Sequence, residues 1–207
     1  MANVQRPQIL LLSLNKQPFF DEMFSGLLKA LVARADVAEA STTLQVPELS
    51  PSQYSAVIVT DEAISERKYV VILSRVVEYA RAGGIVVVGG LFSSCVNLGN
   101  LDTYFHAWGL SWKKAGYRRS TCVLNSATHP GFRSNGSMPT SYSMKVLSLK
   151  GVALGDVVYK RTDDEKVNDE GAITYTRVGN GYLGYIGDVN AEEMSTSVIL
   201  AMCGLPL

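Results

Sequence analysis

The chain has 207 residues, 47% of them hydrophobic, and its 19 Lys and Arg are balanced by 19 Asp and Glu. That length suits one sizeable core and barely a second domain. A formal charge of zero offers no positive field to a phosphate backbone, which argues against general nucleic-acid binding; Lys113, Lys114, Arg118 and Arg119 form the one notable cationic cluster.

Residues 8–14 begin the pattern with a continuous apolar run, as expected of a strand buried on both faces. The run is too brief for a membrane span, and without a small-residue cleavage site behind it no signal peptide is read. Residues 19–35 place Phe20, Phe24, Leu27, Leu28, Leu31 and Val32 at spacings of three and four, the period of an amphipathic helix. Residues 37–43 read as a weaker strand, and 44–53, with Pro47 and Pro51, as a loop. A third buried strand over 56–60 ends at Asp61 and Glu62. A long helix over 65–82 then stops at Gly83-Gly84. The strand Ile85–Val88 comes next, followed by a Gly-Gly turn. In an open α/β sheet, ligands gather at the carboxyl ends of the strands, so a small-molecule site should border residues 89–95.

Beyond the turn, residues 98–108 read as a helix, 112–125 as extended, and 126–140 as a loop that could cover the sheet edge. Residues 145–151 stay ambiguous between helix and strand. Val157–Arg161, 172–177 and 182–187 read as strands, the last two joined through Gly179-Asn180-Gly181 as a turn. Residues 162–171 are an acidic, polar connection. A helix over 191–203, with Asn190 as its N-cap, closes the chain. Alternation of strand and helix through residue 90 predicts a mostly parallel central sheet in a three-layer α/β sandwich, with right-handed crossovers. Residues 1–207 are read as one domain.

Three segments carry a family resemblance: VVEYARAGGIVVVGG at 76–90, NLGNLDTYFHAWGLSW at 97–112 and VGNGYLGYIGDVN at 178–190. Together with the element order they resemble the class I glutamine-amidotransferase-like (flavodoxin-like) domains, and within these the non-catalytic branch. That branch holds the trehalose-utilisation-type proteins, the trimerisation domain of certain β-galactosidases and the first domain of an intraflagellar-transport subunit. The resemblance implies a Gly-x-Cys-x-Gly elbow after the central strand. This chain has Gly89-Gly90-Leu91-Phe92-Ser93 there, with no Cys or Ser near Leu91. The family's His-x-Glu pair is also missing, and Asp188-Val189-Asn190 stands in its place. The resemblance therefore implies a non-catalytic interaction or scaffold module that self-associates or binds a protein partner.

The remaining candidates are weighed on their chemistry. Cys95 with His129 is the one combination that could give a thiolate and its base; the plainer alternative is an inert, partly buried thiol. Asn15, Asp61, Glu62, Gly90, Ser93, Ser94 and Asp188 are the ligand-binding candidates. The serines could present donors to an anion from a helix start, or simply cap that helix. The carboxylates could divide acid and base roles or hold a divalent cation, or merely cap helices and form turns. Trp112, Tyr117, Arg118 and Arg119 mix aromatics with cations, as protein interfaces do; they could equally stack on a sugar or form an ordinary half-exposed strand. His106 reads as a surface or interface histidine. Cys95, Cys122 and Cys203 show no pairing or metal-ligand spacing, so reduced thiols and a cytoplasmic setting are expected. No cofactor or metal is implied. A sugar-related small molecule bound near residues 90–95, or an unorthodox hydrolase there, is the alternative function.

Overall fold

The computed structural model describes residues 6–126, 138–162 and 170–207. Ten strands form one sheet: β1 (Gln8–Leu12), β2 (Asp36–Ala40), β3 (Ala56–Val59), β4 (Ile85–Val88), β5 (Lys113–Leu124), β6 (Ser141–Lys150), β7 (Val157–Arg161), β8 (Glu170–Gly171), β9 (Ile173–Val178) and β10 (Gly181–Ile186). Their spatial order is β2-β1-β3-β4-β10-β9-β7-β5-β6-β8. The helices are α1 (Phe20–Met23), α2 (Ser25–Arg34), α3 (Val70–Arg81), α4 (Phe92–Cys95), α5 (Leu101–Ala107) and α6 (Glu193–Met202).

The apolar runs explain the parallel half. Successive residues of a strand point to opposite faces, so a strand covered on both sides must be apolar throughout. Leu10, Leu12, Val57, Val59, Val86 and Val88 pack on one face against α3 and α5. Ile9, Leu11, Ala56, Ile58 and Val87 pack on the other against α2 and α6. β4 lies inside the sheet with β3 and β10 as parallel neighbours, as its sequence predicts.

A mostly parallel sheet is not what forms. The pairs β1–β2, β1–β3, β3–β4 and β4–β10 are parallel, but the other five neighbouring pairs, from β10–β9 to β6–β8, are antiparallel. The reason is local: strand–helix alternation ends before β5, and strands joined without a helical crossover pair antiparallel. Residues 145–151, open between helix and strand, belong to β6. The helix expected over 19–35 breaks at Phe24 into α1 and α2. The one expected over 65–82 begins as two 3₁₀ turns, and α3 proper starts at Val70. The loop expected over 126–140 lies largely outside the described residues, as does most of 162–171.

The antiparallel half curls back on itself. The Leu147 amide of β6 donates to the Gly187 carbonyl at 2.8 Å, and the Val189 amide donates to the Lys145 carbonyl at 3.0 Å. An isolated antiparallel bridge joins Val146 to Asp188. Strand β6 therefore hydrogen-bonds to the residues that leave β10, although four strand pairings separate the two in the sheet. Only glycine fits at the closure, because a Cβ on Gly187 would collide with the carbonyl oxygens of Ala172 and Leu147.

Gly187→Ala is expected to lower stability by about 2–4 kcal/mol, since backbone on both sides cannot move aside cheaply. Gly26→Ala, which meets nothing within 4 Å in α2, should be neutral or gain up to about 1 kcal/mol. Urea unfolding of the two variants beside the parent chain measures both effects.

Candidate functional site

The turn after β4 is built from backbone hydrogen bonds. The Gly89 amide donates to the Val59 carbonyl at 3.0 Å and the Leu91 amide to the Thr60 carbonyl at 2.7 Å. Gly90 has φ +59°, in the left-handed region that favours glycine. A Cβ there would lie 2.5 Å from the Thr60 carbonyl oxygen. The strand–turn–helix geometry is thus one in which other folds raise a nucleophile, but here the elbow position carries the buried, apolar side chain of Leu91.

The hydroxyls of α4 are already engaged. Ser93 is buried and donates to the Ile186 carbonyl at 2.7 Å; Ser94 donates to the Val189 carbonyl at 2.9 Å. They fasten α4 to the chain leaving β10. Cys95 is exposed, yet its thiol is pushed up, first by partial desolvation and then by the charges of Glu62 and Asp61. A reactive thiolate needs the opposite environment. His129 lies outside the described residues.

Asp188 is buried and accepts three hydrogen bonds, from the Asn190 amide (2.9 Å), the Glu192 amide (2.7 Å) and the Ser195 hydroxyl (2.7 Å). Ser195 in turn lies 3.1 Å from the Tyr142 hydroxyl of β6. The N-cap of α6 is Glu192, not Asn190; its side chain makes no cap, and its amide donates to Asp188. Burial pushes the Asp188 carboxyl up, while its three donors hold it down. Between Asp188 and this helix the chain passes Ala191 at φ +56°, the one non-glycine in the left-handed region among the described residues.

A second carboxylate group lies beside the first strand's end. Asp61 accepts from the Asn15 amide at 3.0 Å and from the Ala63 amide at 3.1 Å, and the Asn15 side chain donates to Glu62 at 2.8 Å. Asn15, Asp61 and Glu62 thus meet, while Asp188, the third carboxylate expected to converge with the two acids, is engaged at the start of α6 instead. Burial pushes Asp61 up to about 6, the two amides working against it. Among the described residues, no group of three or more His, Cys, Asp or Glu is placed to hold a metal ion.

Gly90 and Asp188 line a cleft of about 290 Å³ between α2 and the start of α6. Phe24, Leu27, Ile186 and Ile199 give it apolar walls, and Glu192 and Glu193 an acidic rim. Composition could not reveal this cleft, because its walls come from segments more than 150 residues apart. Ser93, Ser94, Asn15, Asp61 and Glu62 are not among its lining residues.

On the antiparallel half, Trp112 is buried against Phe105, with ring centroids 5.2 Å apart, so it belongs to the core. Tyr117 is 50% exposed beneath the Lys145 ammonium, which lies 4.9 Å from its ring centroid. Arg119 pairs with Glu192 at 2.8 Å, and Arg118 is exposed on the same strand. His106 is exposed on α5. No helix among the described residues is long and apolar enough to cross a membrane.

No protein-family profile matches the chain, and no curated protein sequence does so. Solved structures do. A ThuA-like protein from Bacteroides uniformis superposes with a TM-score of 0.63 at 10% identity, covering 98% of this chain and 91% of that one. A ThuA-like protein from Parabacteroides merdae gives 0.54 at 12%, covering 97% and 91%. The β-galactosidase from Bacillus circulans sp. alkalophilus gives 0.59 at 16%, covering 97% of this chain but 31% of the enzyme. The chain thus spans about a third of that β-galactosidase and nearly all of the ThuA-like proteins. At these identities the likeness shows a shared α/β fold.

The raised Asp61 gives a pH test. A folded-state carboxyl above its ordinary value of 3.8 holds a proton that the unfolded chain releases. Its contribution to stability is full below pH 3.8 and is lost as pH rises to about 6, with a slope of up to about 1.4 kcal/mol per pH unit. Asp61→Asn should remove that slope, as read from urea midpoints across this range; an unchanged slope would assign it to another group.

Proposed function

We propose that the chain is a non-catalytic interaction module, folded as one domain of the class I amidotransferase-like type. The observation that carries this reading is the Gly90 turn. The strand–turn–helix is present, but the elbow position holds the buried, apolar Leu91, both serines after it are engaged by carbonyls, and the thiol that follows is pushed away from ionisation. Polar groups at the carboxyl edge are spent on joining α4, α6 and β6. The β-galactosidase neighbour supports the same reading, since a third of a larger enzyme matches the whole of this chain. The resemblance to the trimerisation domain of such enzymes makes self-association the mode of interaction.

A second reading is favoured by one observation: the cleft beside Gly90 and Asp188. Its 290 Å³ is at the lower end of small-molecule sites, which combine apolar walls with a few polar groups. On this reading a sugar-related or similarly small ligand occupies it.

Three measurements separate these readings. Cys122 and Cys203 are buried, so thiol labelling of the native chain reports on Cys95. The interaction module predicts labelling at neutral pH no faster than that of an unstructured cysteine peptide, and a solution mass that rises with protein concentration. Rapid labelling of Cys95, with a mass that stays monomeric, would contradict it. A rise in melting temperature with a sugar, by mass action, would favour the second reading.

A further inference from the structure

The walls of the cleft between α2 and the start of α6 restrict what can occupy it. Its floor is apolar: Phe24 and Leu27 from α2, Ile186 from the end of β10 and Ile199 from α6. All four are buried. The mouth is open on the α2 side, where Gly26 has no side chain and a Cβ would meet nothing within 4 Å. Met23 stands beside it, 38% exposed, and a thioether adapts to irregular apolar shapes. Ala191 completes the wall. It holds φ +56°, a conformation that glycine adopts without steric cost and alanine does not. The strain is kept at a residue that lines the cleft and packs against the same apolar cluster as Ile186 and Ile199. Backbone strain of this kind gathers where ligands are held.

The charged part of the lining has one sign. Asp188, Glu192 and Glu193 line the cleft, and among the described residues no Lys, Arg or His does so. Two of these carboxylates are engaged: Asp188 accepts its three hydrogen bonds, and Glu192 pairs with Arg119 at 2.8 Å. Glu193 is different. It opens α6, is exposed, and has no partner among the described residues. An anion entering the cleft would lose water beside these carboxylates, with no cation in the walls to replace it. A polyol finds few partners for its hydroxyls. The Ser195 hydroxyl is already bonded to Asp188 and stands 3.1 Å from that of Tyr142, which leaves Thr196 as the only lining hydroxyl without a partner among the described residues.

We propose that this cleft binds a small organic cation, an apolar body resting on Phe24, Leu27 and Ile199 with an ammonium at the rim beside Glu193. The inference rests on the second reading above and narrows it from sugars to amines. It leaves the missing nucleophile as it stands, since holding such a ligand requires no reacting group.

Three molecules of one shape test it: cyclohexylamine, cyclohexanol and cyclohexanecarboxylate, titrated at neutral pH and low salt into the nitrogen-15-labelled chain. Cyclohexylamine, protonated at that pH, should shift the amides of Leu27, Ala191 and Ile199 saturably. Cyclohexanecarboxylate should bind about tenfold more weakly or worse, because it sets like charges together. Gly26→Leu, which extends a side chain into the open mouth, should abolish the shifts. Glu193→Gln should weaken the amine about two- to fivefold, the range of an exposed ion pair, and leave cyclohexanol unchanged. Circular dichroism confirms that both variants are folded. If all three molecules bind equally and Gly26→Leu removes them all, the cation preference is overturned while the cleft reading stands. An amine affinity unchanged by Glu193→Gln overturns the rim assignment in the same way. If a sugar shifts these amides and the amine does not, the inference falls and the second reading survives. If neither the three molecules nor any sugar shifts them, both fall together and the interaction module remains.

Discussion

The structure depends on the contact at Gly187 and Asp188, where two unlike halves are joined. The main chain at Gly187 and Val189 pairs with β6, while the Asp188 carboxylate accepts from the Asn190 and Glu192 amides that lead into α6 and from the Ser195 hydroxyl. A helix start leaves four amides without internal partners, and here a buried carboxylate supplied by the end of a strand accepts from the amide at the N-cap, Glu192, and from the Asn190 amide ahead of it. Through Ser195 and Tyr142 the same carboxylate is connected to β6. Sheet closure and helix capping are therefore set by one pair of residues: a glycine that leaves room and an acid that fills the demand.

This junction governs the chemistry of the carboxyl edge. In related architectures that edge is where polar groups face a ligand. Here Ser93 and Ser94 reach into the junction and bond its carbonyls, Asp188 is consumed by α6, and Gly90 is pressed on Thr60. What is left open is a small cleft with an acidic rim.

The parallel half was legible because its physics is local. An unbroken apolar run such as Ile85–Val88 tells of cover on both faces, and the paired glycines after α3 mark its end. Asp61 and Glu62 followed from their place after a buried strand. The antiparallel half was less legible because its defining contacts are distant in sequence: β6 returns to Gly187, and β10 lies between β4 and β9 rather than beside its neighbours along the chain alone. Trp112 looked like an interface residue because it opens a cationic strand, but the packing of Phe105 decides its burial. Asn190 has the composition of a cap, yet Asp188 is the residue positioned to serve. The cleft left no trace in the sequence, since it joins α2 to α6.

The account holds that Asp188 serves the fold and not a ligand, and substitution by alanine measures this most directly. Functional carboxylates held in place at a cost to the fold commonly raise stability when removed, whereas a structural one leaves its donors stranded. Asp188→Ala should lower the unfolding free energy by about 2–4 kcal/mol, as expected for buried donors that lose a charged acceptor. Hydrogen exchange should quicken at Asn190 and Glu192, whose amides it accepts, and at Leu147 across the closure. Unchanged or increased stability, with exchange at these amides unaltered, would contradict the account and return Asp188 to the cleft as a group poised for a ligand.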